Sequence, residues 1–173
     1  MYMDINVVVV GYLEENCYIL KKDNKVLVID PGDEIDKIKE VIGDNIVVGV
    51  LVTHNHFDHV GALSYFDDSL IYKYDNLEEK EYSIQGFNFK VIFTPGHSSD
   101  SVSYYFSDIN SLFCGDFIFR ESIGRCDLPS GDFDVMKKSI NVIKGYPKNM
   151  IIYPGHGEST ILEYEIANNI YFK

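Results

Sequence analysis

The chain has 173 residues, which is enough to build one hydrophobic core without disulfides or other cross-links. Hydrophobic residues make up 46% of the chain and charged residues 24%, and this composition excludes an intrinsically disordered protein. The 15 Lys and Arg residues are outnumbered by 27 Asp and Glu, and the resulting net charge of −12 disfavours nucleic acid as a partner. We therefore expect one folded domain over residues 1–173.

Apolar segments rich in Val, Ile, Tyr and Phe, separated by turn residues, predict nine strands. They cover residues 5–10, 17–21, 26–29, 47–52, 70–74, 87–93, 102–106, 111–114 and 150–153. Apolar residues at helical spacing predict helices over 33–42 and 132–144, and two more are expected after His59 and over 160–169. The acidic stretch 75–81 is interpreted as a solvated connection. This alternation predicts an α/β fold with helices on the outer faces of sheets.

Two segments of the same length, 17–30 and 103–116, align with each other. Their identical positions are the pairs Tyr18/Tyr104, Asn24/Asn110 and Asp30/Asp116. Each segment predicts a hairpin whose second strand ends in Asp. The similarity fits either a duplicated half or a chance match between two hairpins.

The cysteines and the N-terminus bear on the cellular compartment. Cys17, Cys114 and Cys126 are far apart and odd in number, which argues against a disulfide framework. The first residues have neither a basic segment nor a small-residue cleavage site, so no signal peptide is predicted. The longest apolar runs, such as 46–52, are too short to span a bilayer. We expect a cytoplasmic protein that does not associate with membranes.

All five histidines follow predicted strands. His54, His56 and His59 lie with Asp58 directly after strand 47–52. Alternate residues of an extended segment point the same way, so His54 and His56 can bind one ion together. Asp58 could also cap a helix that begins near Val60. A common cation is the simplest partner for four neighbouring polar side chains at the end of a strand.

Three further polar residues repeat this placement. His97 and His156 each follow a Pro-Gly pair at the end of a strand, and Asp116 follows strand 111–114. Seven nitrogen and oxygen donors without a thiolate suit zinc first, or iron or manganese, rather than copper(I) or an iron–sulfur cluster. They are too many for one tetrahedral ion but suit two divalent ions that share a carboxylate. Such a pair lowers the pKa of a shared water toward about 7, which predicts metal-assisted hydrolysis.

The pattern His54-x-His56-x-Asp58-His59, followed by His97, Asp116 and His156, resembles the metallo-β-lactamase superfamily and, within it, the glyoxalase II-like hydrolases. Residues 16–18, 30–32, 117–132 and 155–160 extend the resemblance. It implies a four-layer αβ/βα sandwich with the metal site at the edge between the two sheets. The implied ligand sets are His54, His56 and His97 for one ion and Asp58, His59 and His156 for the other, with Asp116 bridging. Asp58 and Asp116 are the implied catalytic carboxylates.

The resemblance also implies an activity, namely hydrolysis of a small-molecule thioester by a hydroxide held between the ions. Glyoxalase II proper carries a C-terminal helical region that binds glutathione, and with 17 residues after His156 we do not expect that region here. Asp100 stands where relatives commonly have Gly and adds negative charge at the rim. The alternatives are a persulfide dioxygenase with one iron at His54, His97 and Asp116, or a lactonase or phosphodiesterase.

A few residues outside the metal set have candidate roles. Arg120 and Arg125 could bind a substrate carboxylate, or could pair with Glu121 and Asp127, and for Arg125 the structural pair is favoured. Asp30 ends a strand and is expected to orient a ligand histidine. Cys126 is interpreted as a loop thiol, because no free histidine remains to serve it as a base.

Overall fold

Two mixed β-sheets form the centre of the computed structural model, which describes residues 3–173. The first sheet contains, in spatial order, β1 (Asp4–Val10), β2 (Glu15–Lys22), β3 (Lys25–Ile29), β4 (Ile46–Leu51) and β5 (Ile71–Tyr72). The first three strands are antiparallel neighbours, whereas β3, β4 and β5 are parallel. Helix α1 (Ile35–Ile42) connects β3 to β4, and the short helix α2 (Phe57–Val60) follows β4.

The second sheet is formed by the later part of the chain. It begins with β6 (Glu81–Ile84), β7 (Phe87–Phe93), β8 (Val102–Phe106) and β9 (Ser111–Gly115), which are antiparallel neighbours. A separate hairpin follows, formed by β10 (Ile118–Phe119) and β11 (Ser122–Ile123). After α3 (Phe133–Ile143), β12 (Ile151–Pro154) joins β9 in parallel, β13 (Thr160–Ile161) joins β12, and α4 (Leu162–Asn168) ends the fold. The described residues also form 3-10 turns at Leu63–Tyr65, Asp68–Leu70, Tyr74–Asn76, Ser107–Ile109 and Ile170–Phe172.

Three apolar clusters separate four layers. The central cluster lies between the sheets and contains Tyr18, Leu20 and Phe113. Ile38 of α1 packs on the outer face of the first sheet, and Met136 of α3 packs on the outer face of the second. Strands such as β2 and β9 are buried on both faces, and for this reason their central residues, 17–20 and 112–114, are continuous apolar runs. The expected αβ/βα sandwich is confirmed.

All nine expected strands are present, and the differences lie at the edges of the sheets. Stretch 75–81 is not only a connection, because Glu81 begins the edge strand β6, whose polar residues face solvent. Segment 160–169 begins with β13 before it becomes helical at Leu162. The prediction that Asp58 caps a helix was wrong. Helix α2 begins at Phe57, so Asp58 lies within its first turn and His56 occupies the N-cap position.

The aligned segments 17–30 and 103–116 form the hairpins β2–β3 and β8–β9, as predicted. Each hairpin is followed by a helix and a parallel strand. The Tyr18 hydroxyl donates to the carbonyl oxygen of Pro154 at 2.5 Å, and the Tyr104 hydroxyl donates to that of Val52 at 2.6 Å. Each tyrosine therefore ties its hairpin to the end of a strand in the opposite sheet, and both of those ends carry candidate ligands.

The cysteines of the described chain are all free, as predicted from their number and spacing. Cys17 and Cys114 are buried, and burial raises the pKa of both thiols, that of Cys114 to about 12. Cys126 is half-buried in the loop after β11. Within residues 3–173, none of the helices combines the length and the apolar character that crossing a bilayer requires.

Candidate metal centre

The carboxyl ends of five strands meet at one edge of the sandwich, between the two sheets. β3 and β4 run parallel, and β7, β9 and β12 share a direction in the second sheet, so their following loops lie on the same side. All seven predicted ligands follow these strands, and the structure brings them together: His54, His56, Asp58, His59, His97, Asp116 and His156.

The first ligand group consists of His54, His56 and His97. Nδ1 of His56 is 3.1 Å from Nε2 of His54 and 3.0 Å from Nε2 of His97. Burial lowers the pKa of His54 and of His56, and neighbouring imidazoles lower both further. These two rings are therefore neutral and offer lone pairs, which is the state that binds a metal ion.

The second ligand group consists of Asp58, His59 and His156. Oδ2 of Asp58 is 3.1 Å from Nε2 of His156 and 3.6 Å from Nε2 of His59. Burial would raise the pKa of Asp58, but the hydrogen bond to His156 and the charge of His59 outweigh burial and lower it. Burial would lower the pKa of both histidines, but contacts with the surrounding carboxylates raise it. In this group protons compete with a metal more strongly than in the first.

Asp116 lies between the two ligand groups. Its Oδ2 is 3.6 Å from Nε2 of His97, while its Oδ1 is 3.3 Å from Nε2 of His59 and 3.6 Å from Nε2 of His156. Burial would raise the pKa of Asp116, but the close contact with His59 and the charges of the surrounding histidines outweigh it and lower that pKa to about 2. An ionised carboxylate with one oxygen facing each group has the geometry of a bridging ligand.

Backbone carbonyls determine which ring nitrogens of two histidines carry hydrogen. Nδ1 of His97 is 2.8 Å from the carbonyl oxygen of Arg125, and Nδ1 of His156 is 3.0 Å from that of Leu13. A carbonyl oxygen only accepts, so both Nδ1 atoms must donate. In its neutral form, each of these rings therefore presents the lone pair of Nε2 to the interior of the site.

Asp30 and Thr53 orient two more histidines. Oδ2 of Asp30 accepts from Nδ1 of His59 at 2.9 Å and from the Thr53 hydroxyl at 2.6 Å. Since that hydroxyl has donated its hydrogen, it accepts from Nδ1 of His54 at 3.1 Å. Asp30 thus makes the contact that was expected of it. The part played by Thr53 was not predicted, because its partner lies 23 positions away in the chain.

Two buried atoms at the centre have no hydrogen-bond partner among residues 3–173, namely Nε2 of His59 and Oδ1 of Asp116. Leaving buried polar atoms unpaired is costly, so they call for a ligand. The donor atoms of each candidate group lie within 4.8 Å of one another and are all nitrogen or oxygen. This donor set fits divalent metal ions.

The turn that carries His156 is packed tightly against the site. A Cβ atom on Gly155 would lie 2.4 Å from Oδ1 of Asp116 and 2.6 Å from Cε1 of His59, so no side chain fits there. The Asn16 side-chain amide donates to the carbonyl oxygens of Pro154 and Gly157 at 3.1 and 2.9 Å. Asn16, at the start of the resembling segment 16–18, therefore holds the Pro-Gly-His turn in place.

Glu15 is a buried acid beside the site that sequence reasoning missed. Its side chain is almost fully buried, and Oε1 is 3.7 Å from Nδ1 of His59. Burial raises the pKa of Glu15 to about 10 against the opposing effect of His59, and Asp30 raises it further. Glu15 is therefore a neutral acid at physiological pH in the protein alone. A charged residue at the start of a strand whose central residues 17–20 are apolar was the available signal.

Asp100 supports the loop that carries the first ligand group. Its Oδ2 accepts from the backbone and the side-chain amides of Asn55 at 3.0 and 2.6 Å. Asn55 lies between His54 and His56, so this contact fixes the extended segment on which both rings depend. Asp100 thus has a structural contact in addition to the negative charge expected from the sequence.

The two arginines lie in different surroundings. Arg125 lines the cleft above the site, and its guanidinium forms a two-point ion pair with Asp127 at 2.7 and 2.8 Å, which is the favoured structural pair. Arg120 lines another groove, where it stacks over Tyr164 and pairs with Glu158 at 3.5 Å rather than with its neighbour Glu121. Substrate binding by either arginine stays a prediction.

The site opens into a cleft of about 460 Å³. Five of the seven ligands line it, and its other walls are Leu13, Phe57, Arg125 and Leu128. The walls above the ligands are therefore largely apolar. A small molecule in this cleft would contact both ligand groups and Asp116.

Comparison with known proteins assigns the chain to a family. Residues 10–83 and 70–156 match the metallo-beta-lactamase superfamily, and the chain belongs to this superfamily. A "probable metallo-hydrolase" of Streptococcus pyogenes is 32% identical over 91% of this chain and 85% of that protein. A hydroxyacylglutathione hydrolase of Haemophilus influenzae is 29% identical, covering 96% of this chain and 97% of its own length.

Solved structures share the fold. A B3 metallo-beta-lactamase superposes with a TM-score of 0.92 at 29% identity, covering 98% of this chain and 99% of its own. A protein crystallised in a di-iron-bound form superposes with a TM-score of 0.88 at 30% identity, covering 96% of this chain and 99% of its own. The similarity therefore extends over the entire sandwich and its ligand-bearing edge.

Proposed function

We propose that this protein is a dinuclear metal-dependent hydrolase that acts on a small-molecule thioester. The observation that carries the proposal is the position of Asp116, whose two carboxylate oxygens face two separate ligand groups. The relative of Haemophilus influenzae named as a hydroxyacylglutathione hydrolase supports a thioester as the substrate. The donor set favours zinc, and the di-iron form of a similar structure supports iron as the second choice.

When bound, two divalent ions would supply an activated water and positive charge beside a carbonyl oxygen. The residues of the chain would hold that arrangement: four histidines are oriented through Nδ1, and Asp116 lies between the two ligand groups. Asp58 lines the cleft and stays ionised, so it can orient a water molecule and accept its proton. Hydrolysis breaks the C–S bond, adds the water oxygen to the acyl carbon and leaves a proton on the departing sulfur.

The proposal is tested by metal stoichiometry together with turnover. Purified protein is analysed for zinc, iron and manganese, and S-D-lactoylglutathione hydrolysis is assayed beside oxygen uptake with glutathione persulfide. We expect two metal ions per chain and thioester hydrolysis without oxygen uptake. One iron per chain with oxygen consumption would overturn the proposal in favour of a dioxygenase, and turnover of lactones or phosphodiesters alone would overturn the choice of substrate.

Variants separate the two ligand groups. Asp58→Ala should lose one ion and Asp116→Ala both, because Asp58 belongs to one group whereas Asp116 faces both. Glu158→Ala is a suitable control, since Glu158 is an exposed acid that pairs with Arg120 in another groove. Equal metal content in all three variants would contradict the dinuclear arrangement.

A further inference from the structure

A group of large apolar side chains lies exposed beside the cleft. Tyr12, Leu13 and Phe57 are 81%, 43% and 62% exposed, although side chains of this kind usually lie in the core. The Tyr12 and Phe57 rings are nearly parallel, with centroids 6.3 Å apart and planes inclined by 19°. Contiguous apolar surface of this kind marks a binding site more often than a packing defect.

These side chains form the walls of a groove that lies next to the cleft. The groove has a volume of about 280 Å³ and shares Leu13, Phe57 and Asp58 with the cleft. Its wall is held to the candidate metal centre, because the carbonyl oxygen of Leu13 accepts the hydrogen bond from His156. At the other side of the turn, the backbone amide of Gly11 donates to Glu34. The groove is therefore formed before a ligand arrives.

Away from the candidate metal centre, the side-chain charges around the groove and cleft disfavour an anionic ligand. Asp33 and Asp58 line the groove, and Glu34 is bonded to the turn beside it. Among the described residues that line the cleft, Arg125 carries the one permanent positive charge, and Asp127 already pairs with it at two points. Bound metal ions would attract one carboxylate, but the further carboxylates of a ligand with several would find no free cationic side chain there.

We propose that this groove binds the apolar acyl chain of a neutral thioester. The enzyme should therefore prefer neutral thioesters of aliphatic acids to thioesters of glutathione with hydroxy acids. This inference rests on the proposed thioesterase function and adds the class of acyl group. The reacting carbonyl would lie at the candidate metal centre, with the chain extending past Phe57 toward Tyr12. Each methylene that leaves water for the groove should raise kcat/KM by about two- to fourfold, mainly through KM.

The test is a chain-length series of neutral thioesters. Acetyl, butanoyl, hexanoyl and octanoyl esters of N-acetylcysteamine are assayed with the metal-loaded enzyme. We expect kcat/KM to rise along the series and the rise to flatten in Tyr12→Ser and Phe57→Ser, at unchanged metal content. Ile46→Ser, at the end of β4 far from the ligands, removes another exposed apolar side chain and should keep the wild-type slope.

A second arm varies only the thiol. D-lactate is presented as its glutathione thioester and as its N-acetylcysteamine thioester, and the neutral ester should give the higher kcat/KM. A chain-length series that is flat in the wild type, or a preference for the glutathione ester, would overturn the inference while leaving the thioesterase proposal in place.

Failure of the thioesterase proposal itself has a different signature, since no thioester would then be hydrolysed by the metal-loaded protein. Calorimetric titration with octanamide, which is neutral like the proposed ligand, still tests the groove in that case. Binding that weakens in Tyr12→Ser but not in Ile46→Ser supports an acyl site, and absence of binding refutes it.

Discussion

Replacing Thr53 with valine should weaken both the fold and the first ligand group. The side chain is 2% exposed, and its hydroxyl lies 2.6 Å from Oδ2 of Asp30 and 3.1 Å from Nδ1 of His54. Valine keeps the shape but removes both hydrogen bonds. Asp30 keeps its bonds from the Thr53 backbone amide and from His59, whereas Nδ1 of His54 loses its acceptor.

The expected loss of stability follows from the loss of these two hydrogen bonds. A hydrogen bond to a charged group contributes about 1.5–3 kcal/mol, and an unpaired buried donor costs about 1–3 kcal/mol. Because the two terms overlap, we expect the free energy of unfolding to fall by about 2–4 kcal/mol, which corresponds to roughly 5–12 °C in Tm for a chain of this size. With His54 free to change tautomer, metal affinity at the first ligand group should fall about ten- to a hundredfold.

Two assays and one matched variant decide the outcome. Urea unfolding of the chelator-treated protein measures stability, and competition with a chromophoric chelator measures metal affinity. Thr53→Ser keeps the hydroxyl and should stay close to wild type in both assays. If Thr53→Val binds metal and unfolds like the wild type, the chain of contacts from Asp30 through Thr53 does not orient His54.

Three further predictions address the site and its support. Asp116→Ala should lose both ions and activity together, and elemental analysis showing two retained ions would contradict the bridging role. Acidification from about pH 7.5 to about pH 5 should release the ion at the second ligand group first. The raised pKa of His59 and His156 lets protons displace a metal there at higher pH than at the first group, where the pKa of two histidines is lowered. Metal content after dialysis gives the order, and simultaneous release would count against this reasoning. Glu165→Ala should lower the free energy of unfolding by about 2–4 kcal/mol in urea titration, because this buried carboxylate accepts three hydrogen bonds. Exposed Glu163→Ala is the control, and an equal effect of both variants would refute a supporting role for Glu165.

The sequence was sufficient to predict the layers and the set of candidate ligands that the fold brings together. His54, His56, Asp58 and His59 lie within six residues of one another, so their proximity follows from local geometry after a buried strand. His97 could be added to this set of candidate ligands, because a short Pro-Gly turn at the end of a strand leaves few other positions for its side chain. The elements followed from hydrophobic periodicity, which failed where burial is partial, as at β6, or where a helix begins within the ligand motif, as at α2.

Other features depend on contacts between distant parts of the chain. In the sequence, Glu15 is an ordinary acid at the start of a strand. Only the folded structure shows that it is buried beside His59. Tyr12 is one of 13 tyrosines, and its meeting with Phe57 requires the β1–β2 turn to fold over α2.

The sequence by itself therefore determined the family, the layered fold and the identity of the candidate ligands, because these depend on periodicity and local spacing. Only the tertiary structure decided that each oxygen of Asp116 faces a different ligand group, that Arg125 is already paired, and that an apolar groove adjoins the cleft. The physical reason is that orientation, burial and free charge depend on which strands pair and which loops meet at their ends, and these contacts join residues that lie far apart in the chain.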